Sequence, residues 1–247
     1  MAPAKLTRTL RVTGRRPDGL HTIEAEMVSL DLADVLDLEE AATTALSVAG
    51  PATRGVVGGA RNLVARALDA TGRSAEVALH KVIPSGGGLG GGSSDAAAVL
   101  RWAGCTDLKV ALGLGSDVPY CVLGGRARVS GVGMSVQPLP FEPATFTLLM
   151  PGLHSRTPAV YGAWDDLGGL TADGPNDLEE PAMVAEGALR VWRDRLGEAT
   201  GMTPVLAGSG STWYVEGAFP ELRFPGARMV VAQTVPAGWE GWQGGSG

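Results

Sequence analysis

At 247 residues the chain is long enough for one large domain or two small ones, and 45% hydrophobic content supports a real core. A net charge of −6, with no basic run and no aromatic–basic interleave, argues against a nucleic-acid surface. No apolar run approaches the ~20 residues of a membrane span, and Met1-Ala-Pro-Ala-Lys5 lacks the apolar core of a signal peptide. Cys105 and Cys121 have no metal-ligand spacing, the three histidines are scattered, and without an export signal both cysteines are expected as free thiols. The expectation is a soluble, cytoplasmic protein, a monomer or homodimer, with no nucleic-acid or membrane partner.

In chain order, Leu6, Leu10 and Val12 alternate with polar residues and predict a strand. Gly14-Arg-Arg-Pro-Asp-Gly19 is turn chemistry. Residues 23–30 and 35–38 read as two strands separated at Ala33-Asp34. Leu63, Val64, Ala67 and Leu68 share a helical face, with Gly72 as the stop. A short apolar strand over 77–83, a glycine run over 86–92 and an alanine-rich helix ending near Gly104 follow. Short helices are expected over 108–112 and 118–122, the second ended by Gly124-Gly125. Pro138, Pro140 and Pro143 cluster before a buried-strand pattern over 146–150, which places a domain boundary between 1–140 and 141–247. The second part reads as a helix over 158–164, helices over 178–196, and strands near Val205, over 213–215 and over 227–232. A low-complexity tail occupies 238–247, and no internal repeat is present. The fold class is α+β.

The most informative stretch is Pro84-Ser-Gly-Gly-Gly-Leu-Gly-Gly-Gly-Ser-Ser-Asp95, lying between a strand and a helix. Glycines let backbone N–H groups converge on an anion, and a helix start adds free N–H donors with the positive end of its dipole. A flexible linker or a plain structural turn is the alternative reading. The run is not a Walker A loop, because no lysine follows Gly92. Nor is it a Rossmann fingerprint, because Asp107 opens a helix instead of closing a second strand. On this reading Pro84, Ser85, Gly86, Gly87, Gly88, Leu89, Gly90, Gly91, Gly92, Ser93 and Ser94 form a phosphate cradle, with a Ser93 or Ser94 hydroxyl as the candidate magnesium contact. Either serine could equally cap the helix.

The loop resembles that of the GHMP kinases, Pro-x-Gly/Ala-x-Gly-Leu-Gly/Ser-Ser-Ser, and is most similar to the 4-diphosphocytidyl-2-C-methyl-D-erythritol kinase family, whose loop reads as Gly86 to Ser94 do. The similarity continues in order through Pro3-Ala-Lys-Leu6, Gly14-Arg-Arg-Pro-Asp-Gly-Leu-His21, Asn62-Leu-Val-Ala-Arg-Ala67, Leu114-Gly-Ser-Asp-Val-Pro119, Ser155-Arg-Thr-Pro158, Asn176-Asp-Leu-Glu179 and Gly208-Ser-Gly-Ser211.

The resemblance implies a two-domain GHMP kinase fold, with an N-terminal ribosomal S5 domain 2-like part carrying ATP and a C-terminal ferredoxin-like part. It implies ATP and Mg2+ as cofactors, and phosphorylation of the 2-hydroxyl of a cytidyl diphosphate polyol. Asp117 matches the family's catalytic aspartate, although its position before a helix equally suits an N-cap. Lys5 matches the active-site lysine, and its ammonium could stabilise charge on Asp117 or on the attacking oxygen; alone it reads as a surface lysine. Asn62 is a helix cap or an adenine contact, and Lys81 a phosphate or ribose contact or an exposed strand-end lysine. Thr157, Gly208 and Ser209 are expected on the substrate side, the glycine turn closing over the site.

Two departures fall on that substrate side. Leu20 stands where the family has a tyrosine that stacks on cytosine, beside His21, and Thr7 stands where it has an asparagine. Leucine packs on a base without π-stacking, worth on the order of 1–3 kcal/mol. Trp213 and Trp164 are candidate replacement rings. The departures keep one rival open, another GHMP small-alcohol kinase; a second, a non-catalytic nucleotide-binding paralogue, is suggested by the compact chain and the short helix after the loop, and the retained Lys5 and Asp117 argue against it.

Overall fold

The structure, a computed structural model, describes residues 1–239; most of the expected low-complexity tail lies outside them. A hairpin of β1 (Ala2–Arg15) and β2 (His21–Glu40) forms the spine. Its tip is tied by Arg16 and Leu20, whose N–H and C=O meet at 2.8 Å.

β2 is one strand of 20 residues, where the sequence predicts two. Ala33-Asp34 is a change of partner, not a turn. β2 pairs with β1 as far as Asp34, and from Val35 to Glu40 with β4 (Ala75–His80). The Asp34 carboxylate accepts from the N–H groups of Val82 and Ile83, which satisfies the backbone where the chain leaves β4. Three strands absent from the sequence reading complete this half: β3 (Ala45–Ala49), parallel to β4, β5 (Arg126–Gly131) on β2, and β6 (Ser135–Pro138) on β5.

Four helices cover this region: α1 (Leu63–Ala70), α2 (Gly91–Trp102), α3 (Leu108–Leu114) and α4 (Val118–Leu123). Their apolar faces meet β-strand residues such as Met27, Val77 and Val129 in one buried core. In the second half, β7 (Thr145–Met150) pairs with β9 (Trp213–Glu216) and β10 (Arg228–Val235), and β8 (Val205–Leu206) pairs with β9. α5 (Thr157–Asp166), α6 (Glu179–Ala185) and α7 (Ala188–Thr200) share a core with Leu149, Trp213 and Val215.

β10 also pairs with β2, through Thr234 and Leu30, so the sheet runs without interruption from one half into the other. Beneath that junction Leu6, Leu30, Ile83, Phe146 and Leu148 form a third buried core, and Leu89 of the glycine run plugs into it.

Candidate active site

The glycine run leaves β4 and turns into α2. Leu89 is fully buried among core residues, and the Lys5 N–H donates to its carbonyl at 3.0 Å. Burying one leucine is worth roughly 1.5–3 kcal/mol, which adds an apolar anchor to a loop that is otherwise almost all glycine. The flanking glycines are required by close approach. Gly90 has φ +67°, and a Cβ there would stand 2.7 Å from the Lys5 side chain. Gly88 has φ +78°, and a Cβ there would stand 2.1 Å from the Ala207 carbonyl oxygen.

That second approach belongs to the turn at residues 207–212. The Thr212 N–H donates to the Gly87 carbonyl at 3.1 Å, and Asn176 Nδ2 donates to Gly208 O at 2.7 Å and Leu206 O at 2.9 Å. Ser155 N–H donates to Gly86 O, and Ser155 Oγ to Ser209 O at 2.6 Å. Two glycine turns, from opposite halves of the chain, are thereby bonded to one another.

Lys5 and Asp117 meet between them. Lys5 is 5% exposed; its Nζ donates to Thr7 Oγ1 at 3.2 Å and stands 3.4 Å from Asp117 Oδ2. Asp117 precedes α4, yet its side chain makes no capping bond. Pro119 lies in the first turn, where the missing N–H costs nothing. The carboxylate is left for Lys5 and for the cavity, which it lines.

That cavity has a volume of about 1100 Å³, at the upper end for small-ligand sites and large enough for a nucleotide and a second substrate. At its far end the β1–β2 tip meets α5. His21 stacks on Tyr161 with ring centroids 4.7 Å apart, meets Trp164 edge-on at 5.6 Å, and its Nε2 lies 2.8 Å from Asp165 Oδ1. Positions 161, 164 and 165 share one face of α5, which is why a single helix supplies all three contacts. Burial pushes the Tyr161 phenol above its ordinary range, so it keeps its proton at neutral pH.

The GHMP kinases N terminal domain family matches residues 55–125, a span that contains the glycine run, α2 and Asp117. A 4-diphosphocytidyl-2-C-methyl-D-erythritol kinase of Paracoccus denitrificans is 36% identical over 96% of this chain and 93% of its own length. The chain belongs to this family. The kinase of the same name from Ruegeria pomeroyi is 35% identical over 89% of this chain. A crystal structure of 4-(cytidine 5'-diphospho)-2C-methyl-D-erythritol kinase superposes with a TM-score of 0.75 at 32% identity, covering 94% of this chain and 97% of that one. A mevalonate kinase superposes at 0.59 with 12% identity, which bears on the fold alone.

Within this family member, most residues singled out from the sequence gather around the cavity. Lys5, Thr7, Leu20, His21, Asn62, Lys81, Pro84, Ser85, Ser93, Asp117, Thr157, Gly208 and Ser209 line it, as do Gly86, Gly87, Gly88, Gly90, Gly91 and Gly92. Two turn elsewhere. Leu89 anchors the loop from below, so only its backbone belongs to the cradle. Ser94 is buried and donates to the Pro3 carbonyl at 2.7 Å, which leaves Ser93 as the hydroxyl on the cavity wall. Asn62 does cap α1, accepting from Val64 N–H at 2.9 Å, and Nδ2 donates to Val57 O at 2.7 Å. Thr157 Oγ1 lies 2.9 Å from Ser209 Oγ. Trp213 is fully buried in the core, and Trp164 packs T-shaped with His21 without lining the cavity, so neither takes the place of a ring at position 20.

Lys81 is not the exposed strand-end residue weighed from sequence. It is 2% exposed, bonded to Asp34 and, at 2.7 Å, to Asp95 Oδ2. Asp95 Oδ1 is buried without a hydrogen-bond partner. Burial pushes the Asp95 carboxyl up from 3.8 to about 7, against the pull of Lys81. Sequence reasoning also missed Tyr161 and Asp165; their spacing on a helix resembles that of any packed helical face. Both cysteines are free, and burial pushes the Cys121 thiol well above its ordinary range. No helix among the described residues is long and apolar enough to cross a membrane.

Proposed function

We propose that the chain transfers the γ-phosphoryl group of ATP to the 2-hydroxyl of 4-diphosphocytidyl-2-C-methyl-D-erythritol. The observation that carries this reading is the Lys5–Asp117 pair, 3.4 Å apart beside the glycine loop and in one cavity with the aromatic end around His21. The loop N–H groups and the start of α2 bind the triphosphate. Asp117 accepts the proton of the substrate hydroxyl as its oxygen bonds to the γ-phosphorus and the bond to the β-phosphate oxygen breaks, releasing ADP. Base catalysis of this kind contributes typically 10²–10⁴-fold. Lys5 balances the carboxylate and the charge growing on the attacking oxygen. His21 and Tyr161 receive the cytosine ring, and the 207–212 turn closes over the phosphates.

The donors present fit magnesium in its usual nucleotide-bound form. Among the described residues there is no group of three or more His, Cys, Asp and Glu that could hold a metal. Mg2+ keeps several waters and binds to substrate phosphates rather than in an all-protein cage, so the Ser93 hydroxyl would serve as its protein contact. When bound, it would neutralise phosphate charge. We also assign residues 1–140 as the ATP-carrying domain and 141–247 as the domain supplying the closing turn and α5.

Leu20 favours a second reading, a different small alcohol as acceptor. It lines the cavity and is 55% exposed, leaving a base there without an aromatic ring from this position. ADP release with the cytidyl substrate, homoserine, mevalonate and no acceptor separates the two. Release with the cytidyl substrate alone is expected; release with another alcohol in preference to it overturns the assignment.

A further inference from the structure

We propose that Asp165 is a positioning residue that selects the base, by holding His21 in the tautomer whose cavity-side nitrogen accepts a hydrogen bond. This rests on the functional reading above, since it needs a nucleoside diphosphate end to the substrate.

The His21 ring is held from three directions. Tyr161 stacks on it at 4.7 Å with planes 23° apart, Trp164 meets it edge-on at 5.6 Å, and Asp165 Oδ1 lies 2.8 Å from Nε2. Trp164 is itself tied, its Nε1 donating to Leu170 O at 3.0 Å. The other oxygen of Asp165 stands 3.3 Å from Arg15 Nη1, so the carboxylate is fixed at both ends.

A carboxylate only accepts hydrogen bonds, so Nε2 must carry the hydrogen. In the neutral ring Nδ1 is then an acceptor. No residue described bonds to that nitrogen, and His21 lines the cavity. Cytosine offers an N4 amine, a donor; uracil offers O4, an acceptor, at the same place on the ring. An accepting Nδ1 bonds the first and repels the second. Without Asp165, the tautomer is free to follow the ligand.

The test compares wild type with Asp165→Asn and Asp165→Glu at a single mildly alkaline pH. The readouts are kcat and KM for the cytidyl substrate and its uridyl analogue, with equilibrium binding of CDP and UDP by calorimetry. Wild type is expected to favour cytosine by on the order of 10- to 100-fold, the range of a buried hydrogen bond left unmade. In Asp165→Asn, whose amide can donate to Nε2, that preference falls about tenfold or more. The fall lies in KM and in CDP binding, while kcat at saturation and KM for ATP stay near wild type. Asp165→Glu keeps an acceptor-only group and retains most of the preference. An undiminished preference in Asp165→Asn overturns the proposal. So does a loss of kcat shared equally by both substrates, which would mark a merely structural residue. If wild type phosphorylates neither substrate, the functional reading fails, and the CDP against UDP binding ratio still decides the role of Asp165.

Discussion

Lys5 Nζ and Asp117 Oδ2 stand 3.4 Å apart, one residue from the first strand and the other from the loop before α4, with the Lys5 ammonium almost wholly buried. A buried ammonium without a partner would cost several kcal/mol, so the pair is a structural unit as well as a chemical one. Asp117 forgoes the capping bond open to it at a helix start, which leaves its oxygens turned to the cavity.

Replacing Asp117 by Asn should therefore lower kcat by about 10²–10⁴-fold with little change in ATP affinity, read by steady-state turnover and nucleotide binding. Turnover within a few-fold of wild type would remove Asp117 as the base.

Gly88→Ala is expected to separate the two glycine turns. A Cβ at this position meets the Ala207 carbonyl oxygen at 2.1 Å, and the backbone has φ +78°. Strain of this kind costs of order 1–3 kcal/mol. Lower thermal stability and a raised KM for ATP should appear together. A variant as stable as wild type with unchanged KM would show that the turns need not touch.

Leu20→Tyr places a ring beside His21 at an exposed position, where little packing is lost. Stacking on a base is worth about 1–3 kcal/mol, so KM for the cytidyl substrate should fall by roughly tenfold while KM for ATP holds. No change would mean that Tyr161 already supplies the stacking surface the site uses.

The Asp95 carboxyl gives a pH dependence of stability with a defined sign. Burial is the main cause of its rise from 3.8 to about 7; Lys81 opposes it and Asp34 adds to it. Between those values the folded chain holds a proton that the unfolded chain has lost. The group's contribution to stability therefore falls as pH rises from about 4 to about 7. Stability of wild type relative to Asp95→Asn should decline across that window, measured by denaturant unfolding. A difference that grows with pH would contradict the burial account.

How far the site was legible in the sequence depended on whether its cause was local. The glycine run is a backbone requirement, so its place before a helix could be read directly, as could the short helices ended by glycine. Roles within the loop could not. Leu89 and Ser94 look like cradle residues, but one answers to a core built from both halves and the other to the Pro3 carbonyl. Ala33-Asp34 resembles a turn because the partner change that uses Asp34 involves Val82 and Ile83, far along the chain. β3 and β6 are too short to show a period, and their pairing depends on β4 and β5. Lys81 reads as exposed because neither Asp34 nor Asp95 adjoins it in sequence. Tyr161 and Asp165 gain meaning only when α5 is laid against the β1–β2 tip.

The central claim is phosphoryl transfer to a defined hydroxyl. ³¹P NMR of wild-type protein with ATP, magnesium and 4-diphosphocytidyl-2-C-methyl-D-erythritol tests it most directly. The account predicts a new phosphomonoester resonance, coupled to the 2-position of the polyol, growing in step with ADP and slowed by about 10²–10⁴-fold with Asp117→Asn. ADP formed without that resonance, or the same resonance produced equally well by Asp117→Asn, would contradict it.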